Sequence, residues 1–267
     1  MKKYMAIFRI RFINALQYRA AALAGMTTQF AWGFMLILAY AAFYRSNPAA
    51  FPMEFSQMVS YIWIQQAFFT LYTAWIQPDD ITAAIETGAI AYEMVRPVDL
   101  YSRWFFQITA TRVARAALRC LPVLLVAFIV PAPFRMTLPP DLPSLLLFFL
   151  STFLSLCVVA VYTLLVYTTI FYTLSVRGVR TFLGALCDFF DGAIIPLPFF
   201  PKPMQAVMEL LPFASMQNAP LRIFSGNLTG MGAARAILLQ AFWFMVLLLA
   251  GRLYISRTLK KIIVQGG

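Results

Sequence analysis

Apolar residues along this chain come in long unbroken runs, and the polar residues cluster between them. A helix needs about 20 apolar residues to cross the hydrocarbon core of a bilayer. The pattern therefore predicts six spans, at about 21–44, 57–76, 104–130, 144–174, 181–200 and 231–254. Two stretches depart from it. In residues 2–19, Met5, Phe8, Phe12 and Leu16 can share one helical face while Lys2, Arg9 and Arg19 lie elsewhere. That predicts an amphipathic helix in the membrane interface, or the first turns of a long first helix. In residues 196–226, proline recurs at 196, 198, 201, 203, 212 and 220. The apolar pieces between are too short to span, which predicts an interfacial or re-entrant extracytoplasmic segment. The fold class expected is an all-α polytopic membrane protein, residues 1–267 forming a single transmembrane domain.

The most polar interruption is Asp79 to Arg103. It holds five of the chain's ten acidic residues: Asp79, Asp80, Glu86, Glu93 and Asp99. Pro78 ends what precedes it, and Asp79 or Asp80 can N-cap a new helix. Ile81, Ala84 and Ile85 then fall on one face, and Gly88 supplies a stop before an Arg96-Pro97 turn. Two readings fit, a plain connecting loop or a short helix built to meet something outside the membrane.

Composition supports the membrane assignment. The chain is 62% apolar and 12% charged, against about 45–50% and about 25% for a soluble domain. The basic start runs into a long apolar segment without a small-residue cleavage site, so it is expected to be retained. A net charge of +11 would suggest nucleic acid as partner in a soluble protein. Here the basic residues flank spans, where they set topology and meet lipid head groups, so no nucleic acid is expected. Arg45, Arg135, Lys202, Arg222 and Arg235 fall on one side of the six-span topology, and the other 16 of 21 Lys and Arg on the opposite side. The positive-inside rule then places both termini and the 79–103 stretch in the cytoplasm. Cys120, Cys157 and Cys187 each lie alone in an apolar run, and histidine is absent. Neither a metal site nor a disulfide framework is predicted, and most hydrolase chemistry loses its usual base.

Charges inside the spans are the remaining candidates. Arg112, Arg115 and Arg119 form a stripe at i, i+3 and i+7. They either line a path for an anionic substrate or snorkel to phosphates from a helix longer than the bilayer, with Arg119 the deepest. Asp188 and Asp191 share a face of the fifth span and suit either counter-ions for Arg115 or Arg119, or a substrate-facing or gating role. The same pair leaves open an ion-coupled secondary transporter, or an intramembrane enzyme. Spans one to three do not match spans four to six, which weakens the secondary-transporter reading.

The stretch Ile81, Ile85, Glu86, Gly88, Ile90, Tyr92, Arg96, Pro97, set between spans two and three, resembles the membrane subunit of type-two ABC exporters. Leu211-Pro212-Phe213, Pro220 and Gly226 are similar to that family's run before its last helix. The resemblance covers essentially the whole chain. It implies that the cytoplasmic helix is a coupling helix, docking on a separate ATPase through Asp80, Ile81, Ala84, Ile85, Glu86 and Gly88, with Tyr92, Arg96 and Pro97 bracing it. It further implies two ATPase copies, a second permease (this chain or a sister), and a prokaryotic inner (plasma) membrane. ATP and Mg would be bound by the partner, since this chain has no phosphate loop and no cofactor of its own is expected. Ile81 and Ile85 are expected to need apolar cover from a partner.

Overall fold

The computed structural model describes residues 2–74, 79–173 and 176–260, apart from the side chains of residues 19–21 and 79. Pro78, the Asp79 cap, the ends of the second and fourth predicted spans and Lys261 lie outside that description. The described residues contain helix and no strand. The helices in order are α1 Lys2–Leu16, α2 Arg19–Ser46, α3 Phe55–Ala67, α4 Phe69–Tyr72, α5 Asp79–Glu86 and α6 Ile90–Met94, then α7 Leu100–Ile129, α8 Leu142–Ile170, α9 Val176–Phe190, α10 Lys202–Leu210, α11 Asn218–Phe224 and α12 Gly230–Leu259.

Three of these are long and apolar enough to cross a membrane: Ala22–Ser46 within α2, all of α8, and α12. α7 has the length, but Arg112, Arg115 and Arg119 charge its middle. The N-terminal alternative resolves in favour of a separate helix. α1 ends at Leu16, a turn at Gln17 intervenes, and α1 packs along α7. The second predicted span is not one helix, since α3 and α4 are separated at Phe68. No proline or glycine lies between Phe55 and Ala74 to announce that break. Beyond the break, the fully buried guanidinium of Arg112 donates from Nη1 to the carbonyls of Thr70 (3.1 Å) and Thr73 (2.7 Å), at the end of α4. The fifth predicted span is also shorter than expected, at 15 residues in α9.

α8 is the central helix. Of its most apolar window 61% is buried, against 22% for α2 and 11% for α12, so those two turn most of their surface outward. Asp141 starts α8, its carboxylate accepting from the Ser144 backbone N–H at 2.7 Å. The Ser144 hydroxyl and that N–H hold this carboxyl below the usual range. α12 lies along α8 and is tied to it by Gln240, which accepts from the Ser151 hydroxyl (2.8 Å) and donates to the Ser215 carbonyl (2.9 Å). Such polar ties hold helices together where water is absent. Two tyrosines act in the same way, Tyr162 of α8 donating to the Leu183 carbonyl (2.9 Å) and Tyr172, just past α8, bonded to Thr258 (2.9 Å), while Thr163, Thr168 and Thr169 bond back to their own helix. The proline-rich stretch becomes α10 and α11 with short 3-10 turns before each, and α11 is buried against α8 and α3.

Candidate functional site

α5 and α6 form a knob at one end of the molecule. Ile81 is 3% exposed and packs with Ile90, Leu100, Trp104 and Ile108, with Ile85 against the same cluster. The apolar cover expected from a partner is therefore supplied from within the chain, because α7 and α8 pass directly behind α5. Gly88 ends α5 at φ +72°, a conformation that suits glycine and turns the chain into α6.

Three sets of contacts fix the base of the knob. Asp80 accepts through Oδ2 from Arg11 Nη1 of α1 and from Gln107 Nε2 of α7, both at 2.7 Å. Glu93 accepts through Oε1 from Arg103 Nη2 and through Oε2 from Trp104 Nε1, both at 2.9 Å. Lys3 donates to the Pro97 carbonyl (2.9 Å), and Tyr4 stacks on Phe106 while accepting from the Asp99 N–H. Of the residues the sequence assigns to docking, Asp80 and Ile81 thus serve the base, and Ala84 and Ile85 are half-buried. Glu86, Gly88, Tyr92, Arg96 and Pro97 are exposed. Tyr92 (77% exposed) and its neighbour Val95 (82%) form an apolar tip on a rigid mount.

The Glu93 clamp has a measurable consequence. Arg103 is largely buried, so Glu93→Ala leaves it without its carboxylate, a loss of about 2–3 kcal/mol. The expected result is faster hydrogen exchange confined to about residues 86–100, read by mass spectrometry, with α8 and α12 unchanged.

A second feature is a cavity of about 560 Å³ between α2, α3, α4 and α9. Its polar wall includes Gln29, Gln65, Gln66, Arg119, Asp188 and Gln217; Trp32, Leu36, Phe69 and Ile194 supply its apolar wall. Gln29 Oε1 and Asp188 Oδ1 are buried with no hydrogen-bond partner among the described residues. The Arg119 guanidinium lies over Gly25, where an added Cβ would come within 2.4 Å of Cζ. The two aspartates separate. Asp188 faces the cavity, whereas Asp191 is fully enclosed, accepting from Gln217 Nε2 and the Ala193 N–H at 2.8 Å each. Arg119 and Asp188 share the cavity wall without an ion pair between them among the described residues. Arg112, not Arg119, is the most deeply buried of the three arginines.

Sequence reasoning missed the four glutamines of this cavity and the Glu93 clamp. The signal was available, since an amide inside an apolar run needs a partner or a cavity as much as a charge does.

A helical protein with three helices long and apolar enough to cross a membrane, a braced helical knob and a cavity with a polar wall has the features of a transport component. The family model of the ABC-2 family transporter proteins matches residues 30–266. The chain belongs to that family, and is an integral membrane permease component of a transporter. No curated protein matches it in sequence.

Proposed function

We propose that this chain is the permease subunit of an ATP-driven exporter whose ATPase is a separate subunit. The observation that carries this is the knob: a short helix pair with an exposed apolar tip, braced by Asp80 and Glu93 to α1 and α7. ATP-driven closure of the partner would push on Tyr92 and Val95. Because the base is braced, the push would pass into α7, whose Arg112 holds the end of α4 and whose Arg119 reaches the cavity. The cavity would be this chain's half of the path, completed by a second copy or a sister permease, with two ATPases below.

In this reading the molecule crosses the membrane six times, with both termini in the cytoplasm of a prokaryotic inner membrane. α3 and α4 together run over residues 55–72, about 27 Å at 1.5 Å per residue, near the thickness of the hydrocarbon core despite the break. α10 and α11 would be the re-entrant pair on the outer side. The reading is tested in vesicles. The purified chain alone is expected to move no substrate, and the chain with its ATPase to export when ATP is supplied. Transport by the chain alone under an ion gradient would replace this reading with a secondary transporter.

A further inference from the structure

A smaller cavity, about 260 Å³, lies between α10, α11 and the start of α12. It is at the end of α12 away from the knob, since the other end of that helix reaches the knob's base, where Arg252 donates to the Ser102 hydroxyl at 3.1 Å. The wall includes Glu209, Leu210, Asn218, Arg222, Arg235 and Leu239. Glu209 and Arg222 are paired through Glu209 Oε1, and Gln205 donates to the same oxygen at 2.7 Å. Asn218 is different. It is 3% exposed, and its Oδ1 is buried with no hydrogen-bond partner among the described residues. A buried acceptor left open in this way is satisfied by a donor from outside the chain. Arg235 stands exposed at the rim and makes no hydrogen bond or ion pair among the described residues.

We propose that this cavity binds the zwitterionic head group of a phospholipid, a phosphate joined to a primary ammonium. The ammonium supplies the donor that Asn218 Oδ1 lacks, and Glu209, whose Oε2 is open among the described residues, balances its charge. The Arg235 guanidinium pairs with the phosphate oxygens through parallel hydrogen bonds. The lipid assignment rests on what adjoins the rim. Arg235, Leu238, Phe242, Met245 and Leu249 follow one another at three- and four-residue steps, one stripe of α12, and all five are exposed. A phosphate held at Arg235 therefore leaves its acyl chains along an apolar stripe that the chain itself does not cover, which a soluble phosphoethanolamine could not use. The cavity has the space of about eight waters at about 30 Å³ each, enough for the head group alone. A bound lipid would tie α10 and α11 to α12 through one zwitterion.

The test uses the purified full-length chain in neutral detergent, with lipid binding read by native mass spectrometry. The probes are phosphatidylethanolamine and phosphatidylcholine of matched chains, which share the phosphate and the net charge and differ in the N–H donors. Wild type is expected to bind phosphatidylethanolamine about tenfold more tightly, the effect of one charge-assisted hydrogen bond. Asn218→Leu removes the acceptor and is expected to bring the two lipids to equal affinity. Arg235→Gln, a change at an exposed side chain, is expected to weaken both lipids alike, about tenfold, and to keep the preference. Arg257→Gln, exposed at the other end of α12, is expected to change neither. Variants are compared as monodisperse samples, and the wild-type preference together with Arg235→Gln decides the matter even if Asn218→Leu does not fold. Four results would each overturn the proposal: equal binding of the two lipids by wild type; an unchanged preference in Asn218→Leu; as large a loss in Arg257→Gln as in Arg235→Gln, which would mean diffuse charge; or displacement of the lipid by millimolar phosphoethanolamine, which would assign the site to a soluble molecule.

Discussion

Replacing Arg112 by methionine is expected to destabilise the protein by about 3–5 kcal/mol, enough to lose much of it from the membrane. The argument is local. Arg112 is 2% exposed, and its head donates to the carbonyls of Thr70 and Thr73 and to the Thr163 hydroxyl. The two carbonyls sit at the end of α4. Methionine fills a similar volume but removes the buried guanidinium donors from those acceptors, at about 1–3 kcal/mol each. Arg115→Met, one turn away with no such partners, serves as the comparison. Thermal unfolding in detergent should show a large drop for Arg112→Met and a small one for Arg115→Met. Equal drops would mean that the Arg112 bonds contribute little.

The second large effect concerns the tip of the knob. Tyr92→Ala together with Val95→Asp is expected to weaken ATPase binding about 30-fold or more while leaving the fold intact. Removing one aromatic anchor from the centre of an interface costs about 2 kcal/mol or more, and a charge placed beside it adds an unpaired group. Both side chains are more than three-quarters exposed, at 77% and 82%, so their loss removes little from the isolated chain. Co-purification of the ATPase with the tagged permease reads the effect. Ile81→Ala is the contrasting case, since its side chain belongs to the internal cluster and its loss should lower thermal stability before it lowers ATPase binding.

Much of this was legible from the sequence, and the exceptions share a cause. The length of the apolar runs gave α2, α8 and α12, because a long uniform helix needs only its own composition to be recognised. Pro78, Gly88 and the acidic cluster located the knob. The hold of Arg112 on the end of α4 was not legible, because the guanidinium and the Thr70 carbonyl lie 42 residues apart in sequence, and the break at Phe68 has no proline or glycine to announce it. The inward turn of Ile81 and Ile85 was hidden for a related reason. An apolar face on a short helix tells that it will be covered, and only tertiary structure tells that α7 and α8 do the covering. The aspartates illustrate the limit of spacing. Three residues apart, Asp188 and Asp191 share a helical face in the abstract, yet α9 ends at Phe190 and the chain turns, so that one faces the cavity and the other is sealed behind Gln217.

The central claim is that the knob is where the ATPase acts, and a photo-crosslinking residue placed at Tyr92 tests it most directly. In native membranes the account predicts a covalent adduct between this position and an ATPase subunit bearing a phosphate-binding loop, identified by mass spectrometry. The same residue placed at Val207, exposed on α10 at the proposed outer face, should give no such adduct. Adducts from Tyr92 to lipid or to other copies of the permease alone, with the ATPase captured elsewhere or not at all, would contradict the account.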